Sequence, residues 1–253
     1  MILHEVNLSK EFEEIELIPI SDTHIGDPYF DEQLLMEDIE YIQEKENRFC
    51  LLNGDILNTA TTHSVSDTYN NQLTPHGELK YARKLFEPIA DSIICATQGN
   101  HERRITRNDG VDLMEELAMS LNAFYAPDGL VLKIRFGNRG NKKPQVYTIY
   151  MSHGFTGSRL TGGKANRLEK LQKIVVADIY IQSHTHQKIN FTQSLFVPDL
   201  RNNKVVEKRQ TFINTGAYLE WGGYAQQKAY TPSDRGTMKL KLNEKEKKVE
   251  VIM

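Results

Sequence analysis

Side chains that can bind metal ions or move protons recur in short motifs along the chain. Eight of them stand out: Asp22, His24, Asp55, Asn100, His101, His153, His184 and His186. Carboxylate, amide oxygen and neutral imidazole are good ligands for Zn, Mn or Fe. The absence of cysteine from the set disfavours a structural zinc site built from soft ligands. The set therefore predicts a catalytic metal centre.

The spacing within the motifs indicates which ligands can bind the same metal ion. Asp22 and His24 are two residues apart, and on an extended segment they point to the same side, so both can reach one ion. His184 and His186 stand in a tighter turn, where the two imidazoles can serve different ions. A glycine before Asp55 lets the backbone turn sharply and bring the carboxylate inward, where it can bridge two metals.

Each motif ends a short apolar run, and the runs are IELIPISDTH, RFCLLNGD, DSIICATQGNH, YTIYMSHG and DIYIQSHTH. Apolar residues at helical spacing predict helices over 31–45 and 78–89 between the first three runs. Apolar strands that alternate with amphipathic helices indicate βαβ units with both faces of the sheet covered. In such sheets the loops beyond the carboxyl ends of the strands form the ligand crevice. We therefore expect the eight side chains to meet in one crevice.

The rest of the chain predicts a third helix over 109–121, a fourth over 164–175 and otherwise mostly strands. The further strands are LVLKIRFG, QVYTIYMS, KINFTQSLFV, QTFINTG, GTMKLKLN and KVEVIM. No Pro-rich or Ser-rich linker separates the halves and no repeat is visible, so a single domain over 1–253 is predicted. The polar loop 59–72, which contains His63, is long enough to be a lid or a substrate-contacting segment.

The bulk composition excludes several classes of protein. A formal net charge of -3 gives no general attraction for nucleic acid or for an anionic membrane. With 39% hydrophobic and 26% charged residues, the composition is that of a soluble globular protein rather than a disordered one. Cys50 and Cys95 lie in apolar runs, which indicates buried thiols in a reducing cytoplasm. Neither a signal peptide nor a run of about 18 apolar residues is present, so secretion and membrane spanning are not expected.

The ordered series DTH, GDILN, GNHE, SHG and SHTH, over positions 20 to 186, resembles the calcineurin-like metallophosphoesterase superfamily. The resemblance implies an α/β fold, a layered αββα sandwich with mixed sheets and a dinuclear metal site at the carboxyl ends of strands. By the same resemblance, the first metal would be bound by Asp22, His24, Asp55 and His186. The second metal would be bound by Asp55, Asn100, His153 and His184. The sequence departs from the family at Ser183, where a glycine often precedes the paired histidines.

The resemblance also implies a role for His101 that is separate from metal binding. His101 would contact the scissile phosphate and protonate the leaving oxygen, and Glu102 would orient His101. Two metals about 3.5 to 4 Å apart would bind phosphate oxygens and share a hydroxide that attacks phosphorus. In-line attack leaves the departing oxygen on the far side, so a separate acid is chemically useful there. Mn is the expected metal, with Fe, Zn and Ni as alternatives.

The sequence predicts the type of reaction in more detail than it predicts the substrate. Arg103, Arg159 and Lys164 lie next to the motifs and are predicted to contact substrate phosphate. No arginine follows the GD motif closely and Asn58 replaces the usual second acidic residue, which disfavours a protein phosphatase. The pattern is similar to the phosphodiesterase and nuclease branch of the family. The prediction is hydrolysis of phosphodiester bonds in DNA, RNA or nucleotides.

Two alternatives stay open beside this prediction. One is a phosphomonoesterase or nucleotide pyrophosphohydrolase, which needs the same metals. The other is a non-catalytic metal-binding scaffold, which the presence of His101 disfavours because a scaffold needs no leaving-group acid. The expected partner is a phosphate-ester substrate rather than a membrane, and a strand-rich carboxyl half is also compatible with a homo-oligomer.

Overall fold

Strands and helices alternate in the first half of the chain, as the apolar pattern predicts. A computed structural model describes residues 1–62, 64, 68–138 and 143–253, and His63 of the predicted lid lies outside them. The elements of the first half are β1 (Ile2–Asn7), β2 (Glu14–Ile20), α1 (Glu32–Gln43), β3 (Arg48–Asn53), α2 (Pro75–Phe86), β4 (Ile93–Thr97), α3 (Asn100–Asp109), α4 (Leu113–Ser120) and β5 (Phe124–Tyr125). A 3₁₀ segment, Glu87–Ser92, links α2 to β4.

Strands dominate the second half. Its elements are β6 (Leu130–Phe136), β7 (Gln145–Met151), α5 (Thr161–Glu169), β8 (Ile179–Gln182), β9 (Ile189–Asp199), β10 (Lys204–Asn214), α6 (Gly223–Gln227), β11 (Lys239–Asn243) and β12 (Val249–Ile252). A second 3₁₀ segment, Lys170–Lys173, continues α5. Among the described residues, no helix combines the length and apolar character that crossing a lipid bilayer requires.

Two six-stranded sheets form the centre of the fold. The first sheet has the order β12-β11-β2-β3-β4-β5, and the second has the order β1-β6-β7-β8-β10-β9. Both are mixed: β2, β3, β4 and β5 run parallel while β11 is antiparallel to β2, and β7 runs parallel to β8 but antiparallel to β6.

The two sheets pack face to face, and helices cover both outer faces. Leu17 and Leu51 of the first sheet share one apolar cluster with Tyr147 and Ile181 of the second. The helices α1, α2 and α4 pack on the outer face of the first sheet, and Leu168 of α5 packs on the outer face of the second. The predicted α/β class and layered αββα sandwich with mixed sheets are therefore confirmed.

The first helix illustrates how the pattern forms an element. The Asp31 side chain accepts a hydrogen bond from the Leu34 N–H at 3.1 Å and so caps the free end of the helix. Leu35, Ile39 and Ile42 lie on one stripe, and all are buried against the first sheet. One helical face thus supplies the apolar contact that holds α1 in place.

The main difference from the sequence prediction lies between 100 and 121. In place of one helix over 109–121 there are two, α3 and α4. The first was missed because NHERRITRND is almost wholly polar, and Ile105 is its one buried apolar residue. Its ends are marked instead by Glu102, which accepts the Gly99 N–H at 3.0 Å, and by Gly110, whose φ of +73° ends the helix.

Candidate metal centre

The loops that follow five strands meet at one end of the two sheets. Backbone pairing continues beyond the strands: Asp22 donates to the Gly54 carbonyl at 3.1 Å, and Ser183 donates to the His153 carbonyl at 3.0 Å. The sheets are joined where the His184 N–H donates to Oδ2 of Asp22 at 3.1 Å. This pairing brings polar side chains from both sheets into one crevice.

Three overlapping groups of aspartate and histidine lie in the crevice, and in each group the ligand atoms lie within 4.8 Å of one another. The groups are Asp22 with His24 and His186, His24 with Asp55 and His101, and Asp55 with His153 and His184. Asp55 belongs to two of the groups and has histidines on both sides. These groups can hold metal ions, and a carboxylate shared between donor sets is what a two-metal site needs.

The first group points its donor atoms at a common space. Nε2 of His24 and Nε2 of His186 lie 3.2 Å apart, and Oδ1 of Asp22 lies 3.2 Å from the His186 nitrogen. With metal–ligand bonds of about 2.1 Å, the donor atoms around one ion lie roughly 3 to 3.5 Å apart. The third pair, Oδ1 of Asp22 and Nε2 of His24, lies 4.0 Å apart, so two of the three separations match ligands around a single cation and the third is about 0.5 Å longer.

The backbone beneath these donors is left-handed, so the expectation of an extended segment from Asp22 to His24 is wrong. The φ angles are +51° at Asp22, +48° at His24, +50° at Asp55, +71° at His184 and +53° at His186. Residues that have a Cβ rarely adopt this backbone conformation, because it is strained by about 1 kcal/mol or more. Left-handed residues rather than strand alternation turn Asp22 and His24 toward the same space.

Asp55 is held in place by the loop that begins α3. Its Oδ1 accepts the His101 N–H at 2.8 Å, and its Oδ2 lies 3.1 Å from Nε2 of His153. Gly99 passes so close that a Cβ built on it would lie 2.1 Å from Oδ1 of Asp55. A glycine is required here because there is no space for a side chain.

Two of the predicted ligand atoms, Oδ1 of Asp22 and Nε2 of His153, are buried with no hydrogen-bond partner among the described residues. His186 approaches the first and Asp55 approaches the second, but neither contact has hydrogen-bond geometry. A buried polar atom without a partner costs about 1 to 3 kcal/mol. Because a divalent cation beside each atom would satisfy it, the donor sets fit metal ions.

Carbonyl groups behind the crevice set the tautomers of two histidines. Nδ1 of His153 lies 2.8 Å from the Asn53 carbonyl oxygen, and Nδ1 of His101 lies 2.8 Å from the Asn58 carbonyl oxygen. A carbonyl oxygen only accepts, so each Nδ1 carries a hydrogen. The Nε2 atom of each ring therefore faces the crevice, which is how hydrogen bonds behind a metal site orient its imidazoles.

The electrostatics of the crevice favour neutral imidazole at His24 and His101, an ionised carboxylate at Asp55 and a protonated ring at His153. Burial lowers the pKa of His24 well below its ordinary value and lowers the pKa of His101 to about 4. Burial opposes ionisation of Asp55, but the surrounding histidines, His153 first and then His101 and His24, together hold the pKa of the carboxyl well below its ordinary value. Burial likewise opposes protonation of His153, yet the Asp55 charge raises its pKa to about 10. A cation can take the place of that positive charge beside the carboxylate.

The predicted ligand Asn100 and the predicted acid His101 open α3 at the rim of the crevice. Asn100 is exposed and lines a cavity together with His153. The His101 ring lies edge-on to the His24 ring, with 4.3 Å between ring centres. The ligand and acid roles of the two residues stay predictions.

Glu102 contacts different groups from those expected. Its carboxylate accepts the N–H groups of Asp55 at 3.1 Å and of Leu57 at 2.9 Å, besides that of Gly99. The His101 imidazole is oriented by the Asn58 carbonyl instead. Glu102 thus fastens the loop that carries Asp55 to the loop that begins α3, rather than contacting the imidazole.

A buried polar network below the crevice was missed from the sequence. Nδ2 of Asn53 donates to Oγ of Ser183 at 2.6 Å, and Oδ1 of Asn53 accepts the Thr97 hydroxyl at 2.8 Å. The Ser183 hydroxyl lies 2.9 Å from that of Thr215, which lies 2.7 Å from that of Ser21. The network crosses from one sheet to the other. The departure from glycine at Ser183 therefore adds a hydroxyl that joins the sheets.

The three residues predicted to contact substrate differ in how free they are. The Arg103 guanidinium pairs with Asp128 at 2.8 Å, and the Arg159 guanidinium lies over the Tyr230 ring at 5.5 Å from its centre. The Lys164 ammonium donates at 3.2 Å to a carbonyl in the turn between the paired histidines. Arg159 is exposed, whereas Arg103 and Lys164 already bind protein groups. Their contact with substrate stays a prediction.

Comparison with known proteins places the chain in a recognised group. The family model described as calcineurin-like phosphoesterase matches residues 18–188. The matched segment contains all the motifs that end the five strands. No curated protein matches the sequence.

Solved structures with a similar fold share little sequence with this chain. A protein described as the anchor in the inner membrane complex of Plasmodium, GAP50, has a TM-score of 0.48 and 11% identity, with 91% of this chain and 81% of that one covered. Vacuolar protein sorting 29 from Cryptosporidium parvum has a TM-score of 0.45 and 16% identity, with 95% and 96% covered. A predicted phosphoesterase from Streptococcus pneumoniae has a TM-score of 0.41 and 15% identity, with 94% and 88% covered.

Proposed function

The chain belongs to the calcineurin-like phosphoesterase family, and from that premise we propose that it is a metal-dependent phosphodiesterase. Its proposed substrates are nucleic acid or nucleotides. The observation that carries the proposal is the position of Asp55, which groups with His24 and His101 on one side and with His153 and His184 on the other, while His24 also groups with Asp22 and His186.

The proposed centre takes two divalent ions, with Mn first and Fe, Zn or Ni as alternatives. Two such ions supply the positive charge that binds phosphate oxygens and makes water acidic enough to act near neutral pH. Asp22, His24, Asp55 and His186 would hold one ion. Asp55, Asn100, His153 and His184 would hold the other.

In this proposal the protein positions the phosphate and handles the leaving group. The Asn58 carbonyl holds the His101 ring so that Nε2 faces the crevice beside His24. Burial keeps the free His101 ring neutral, with a pKa of about 4. A phosphate anion bound beside the ring favours a proton on Nε2, and that proton can pass to the departing oxygen as the bond to phosphorus breaks. The contacts of Glu102 keep Asp55 and the His101 N–H in register during this step.

Preference for a diester is supported by the space next to the centre. A cavity of about 590 Å³ adjoins Asn100 and His153. A diester carries a second substituent on phosphorus, so it needs room beyond the reacting group, whereas a small monoester does not. The absence of an arginine directly after the GD motif also removes one group suited to a dianionic monoester.

The test is a substrate panel with metal-reconstituted protein. The protein is stripped with a chelator and reloaded with Mn, Fe, Zn or Ni in turn. Each form is then assayed on bis-p-nitrophenyl phosphate, p-nitrophenyl phosphate, cyclic nucleotides, single-stranded DNA and RNA. We expect manganese-dependent cleavage of the diesters. Cleavage of monoesters alone would favour a phosphomonoesterase, and tight metal binding without turnover on any substrate would favour a scaffold.

A further inference from the structure

The cavity beside the second donor group has a strongly cationic wall. Its lining includes Arg103, Arg167, Lys170 and Lys173, against one acidic residue, Asp128. Arg103 is neutralised by Asp128 at 2.8 Å. The other three cations have no acidic partner within 4.0 Å among the described residues, and Lys170 and Lys173 are exposed. Unpaired like charges around one concavity focus a positive potential that attracts anions.

The three cations without an acidic partner stand on one face because of the local helix geometry. They follow one another at intervals of three residues through the end of α5 and the 3₁₀ segment, where residues three apart stack above each other. The neighbouring residues Leu168 and Leu171 pack into the outer apolar cluster of the second sheet. The charges are therefore presented by a fixed surface rather than by a loose tail.

The length of this cationic face indicates the shape of its ligand. Three residues of α-helix and three of 3₁₀-helix advance roughly 10 Å from Arg167 to Lys173. A single phosphate group would engage one end of such a row. A row of this length suits an elongated anion with several phosphates in succession, such as a nucleic-acid backbone.

An exposed aromatic ring completes the cavity. Phe155 lines it and is 68% exposed, and its ring lies 5.9 Å from the His184 ring at an interplanar angle of 29°. The Arg167 Nε donates to the Phe155 carbonyl at 3.1 Å, so ring and cations are held together. Proteins that bind single-stranded nucleic acid combine cations for the backbone with exposed aromatic rings on which bases stack.

We propose that this cavity binds the part of a single-stranded nucleic acid that flanks the scissile bond. Lys170, Lys173 and Arg167 contact its backbone phosphates, and a neighbouring base stacks on Phe155. The inference rests on the proposed phosphodiesterase function and extends it by assigning the substrate class and its subsite.

The first test removes two cations and leaves the centre intact. The K170A/K173A variant is compared with the wild type on bis-p-nitrophenyl phosphate and on an oligothymidylate of about 12 nucleotides, longer than the site. We expect kcat/KM for the oligonucleotide to fall about 10- to 100-fold, mainly through KM, with the small diester unchanged. The control is K80A/K84A, which removes two exposed cations from α2.

Salt dependence gives a second readout, by fluorescence anisotropy of the labelled oligonucleotide. Each lost phosphate contact lowers the slope of log affinity against log salt by about 0.7 for single strands, so the double variant should lose about 1.4. An unchanged slope and unchanged oligonucleotide kinetics would overturn the subsite while leaving the phosphodiesterase proposal standing. A wild type that binds the strand with the expected slope but cleaves no diester would instead overturn the phosphodiesterase proposal and retain the subsite.

The aromatic contact has its own test. Phe155→Ala should weaken oligonucleotide binding about 5- to 100-fold, and Phe155→Tyr should restore it because a flat ring is restored. Phe196→Ala, at an exposed ring on β9, is the matched control. Equal losses in the two alanine variants, or a loss for nucleoside triphosphates without one for the oligonucleotide, would overturn the assignment to a nucleic-acid strand.

Discussion

His101 is the residue whose position best separates metal binding from proton transfer. Its ring is fixed by the Asn58 carbonyl at 2.8 Å, and its N–H supports Asp55. The backbone contact with Asp55 survives any change of the side chain. A substitution at His101 can therefore remove the proposed acid while leaving the support of Asp55 in place.

His101→Ala should keep its bound metal and lose turnover. A general acid contributes about 10²- to 10⁴-fold, so kcat on bis-p-nitrophenyl phosphate should fall by that factor. Metal content by mass spectrometry and kcat are measured together, with His76→Ala, at an exposed position of α2, as control. A variant that loses its metal would show that His101 acts as a ligand, consistent with its place in the group of His24 and Asp55.

Ser183→Ala should destabilise the fold while leaving all donor atoms present. The change removes the Ser183 contacts with Asn53 and Thr215, both buried, which should lower the free energy of unfolding by about 1 to 3 kcal/mol. Urea denaturation measures the loss, and Ser194→Ala on the exposed face of β9 is the control. Equal stability of the two variants would mean that the hydroxyl network contributes little.

At the scale of elements, the centre depends on how closely two turns approach each other. The turn after β3 carries Asp55, and the turn after β4 carries Gly99. Glu102 at the start of α3 accepts N–H groups from both turns. The same region is further tied by Glu78 of α2, which accepts the Thr59 N–H at 2.7 Å. Helix-borne carboxylates, rather than the strands alone, therefore fix these loops.

Gly99→Ala tests the close approach of the two turns. The added methyl would lie 2.1 Å from Oδ1 of Asp55, so the carboxylate must move. We expect manganese affinity, measured by calorimetry on folded protein, to fall by about 10- to 100-fold, the usual effect of disturbing groups behind a metal ligand. Gly162→Ala is the control because a methyl group added there would meet no other atom within 4 Å. Wild-type affinity in Gly99→Ala would show that the turns can separate freely.

The raised pKa of Glu78 predicts that the stability of the metal-free protein depends on pH. Burial raises the pKa of Glu78 from 4.5 to about 7. The folded state then holds the proton more tightly, so stability is fully present below about pH 4.5 and declines as pH rises to about 7, by roughly 3 kcal/mol. Burial raises the pKa of Glu102 to about 7 as well, so Glu78→Gln should lose only the part of this decline that Glu78 contributes.

Urea denaturation of wild type and Glu78→Gln at pH 5 and pH 8 measures the difference. We expect the free energy of unfolding of Glu78→Gln to rise relative to that of the wild type as pH rises. Glu40→Gln, at an exposed position of α1, should show the same pH dependence as the wild type. A constant gap between Glu78→Gln and the wild type at both pH values would contradict the predicted titration.

At the scale of the whole molecule, the centre joins the two sheets. Asp22, His24 and Asp55 follow strands of the first sheet, whereas His153 and His184 follow strands of the second. Ions bound among them would resist separation of the sheets, whose shared apolar core lies directly beneath. Metal binding and global stability are therefore expected to be coupled.

Metal should stabilise the folded protein, and chelation should reverse the effect. At a free concentration of about 100 times Kd, a ligand that binds only the folded state adds about 2.7 kcal/mol to the free energy of unfolding. Thermal denaturation with manganese and with chelator measures the change. Asp55→Ala should bind little metal and gain little stability from manganese. An equal gain in Asp55→Ala would place the stabilising ion elsewhere.

The sequence predicted the strands well because they are long apolar runs, and the chemically distinctive endings of those runs carried the family resemblance that implied the sandwich. It failed at α3, where polar residues are held by caps and neighbouring loops rather than by an apolar face. It also missed Asn53, Thr215 and Glu78, since single polar residues leave no periodic signal. By contrast, the spacing of Arg167, Lys170 and Lys173 was visible in the sequence, but its meaning depends on the cavity that they line.

The left-handed conformation at five of the proposed ligand positions costs folding stability, but it places the donor atoms that the proposed chemistry needs. Glycine adopts that conformation freely and asparagine tolerates it better than histidine does. A lineage released from the need for this reaction would therefore be expected to accumulate glycine or asparagine at Asp22, His24, Asp55, His184 and His186, and to become harder to unfold as it lost its donors. The left-handed backbone of these loops would then persist after the activity was lost, and it would identify the position of the former active site.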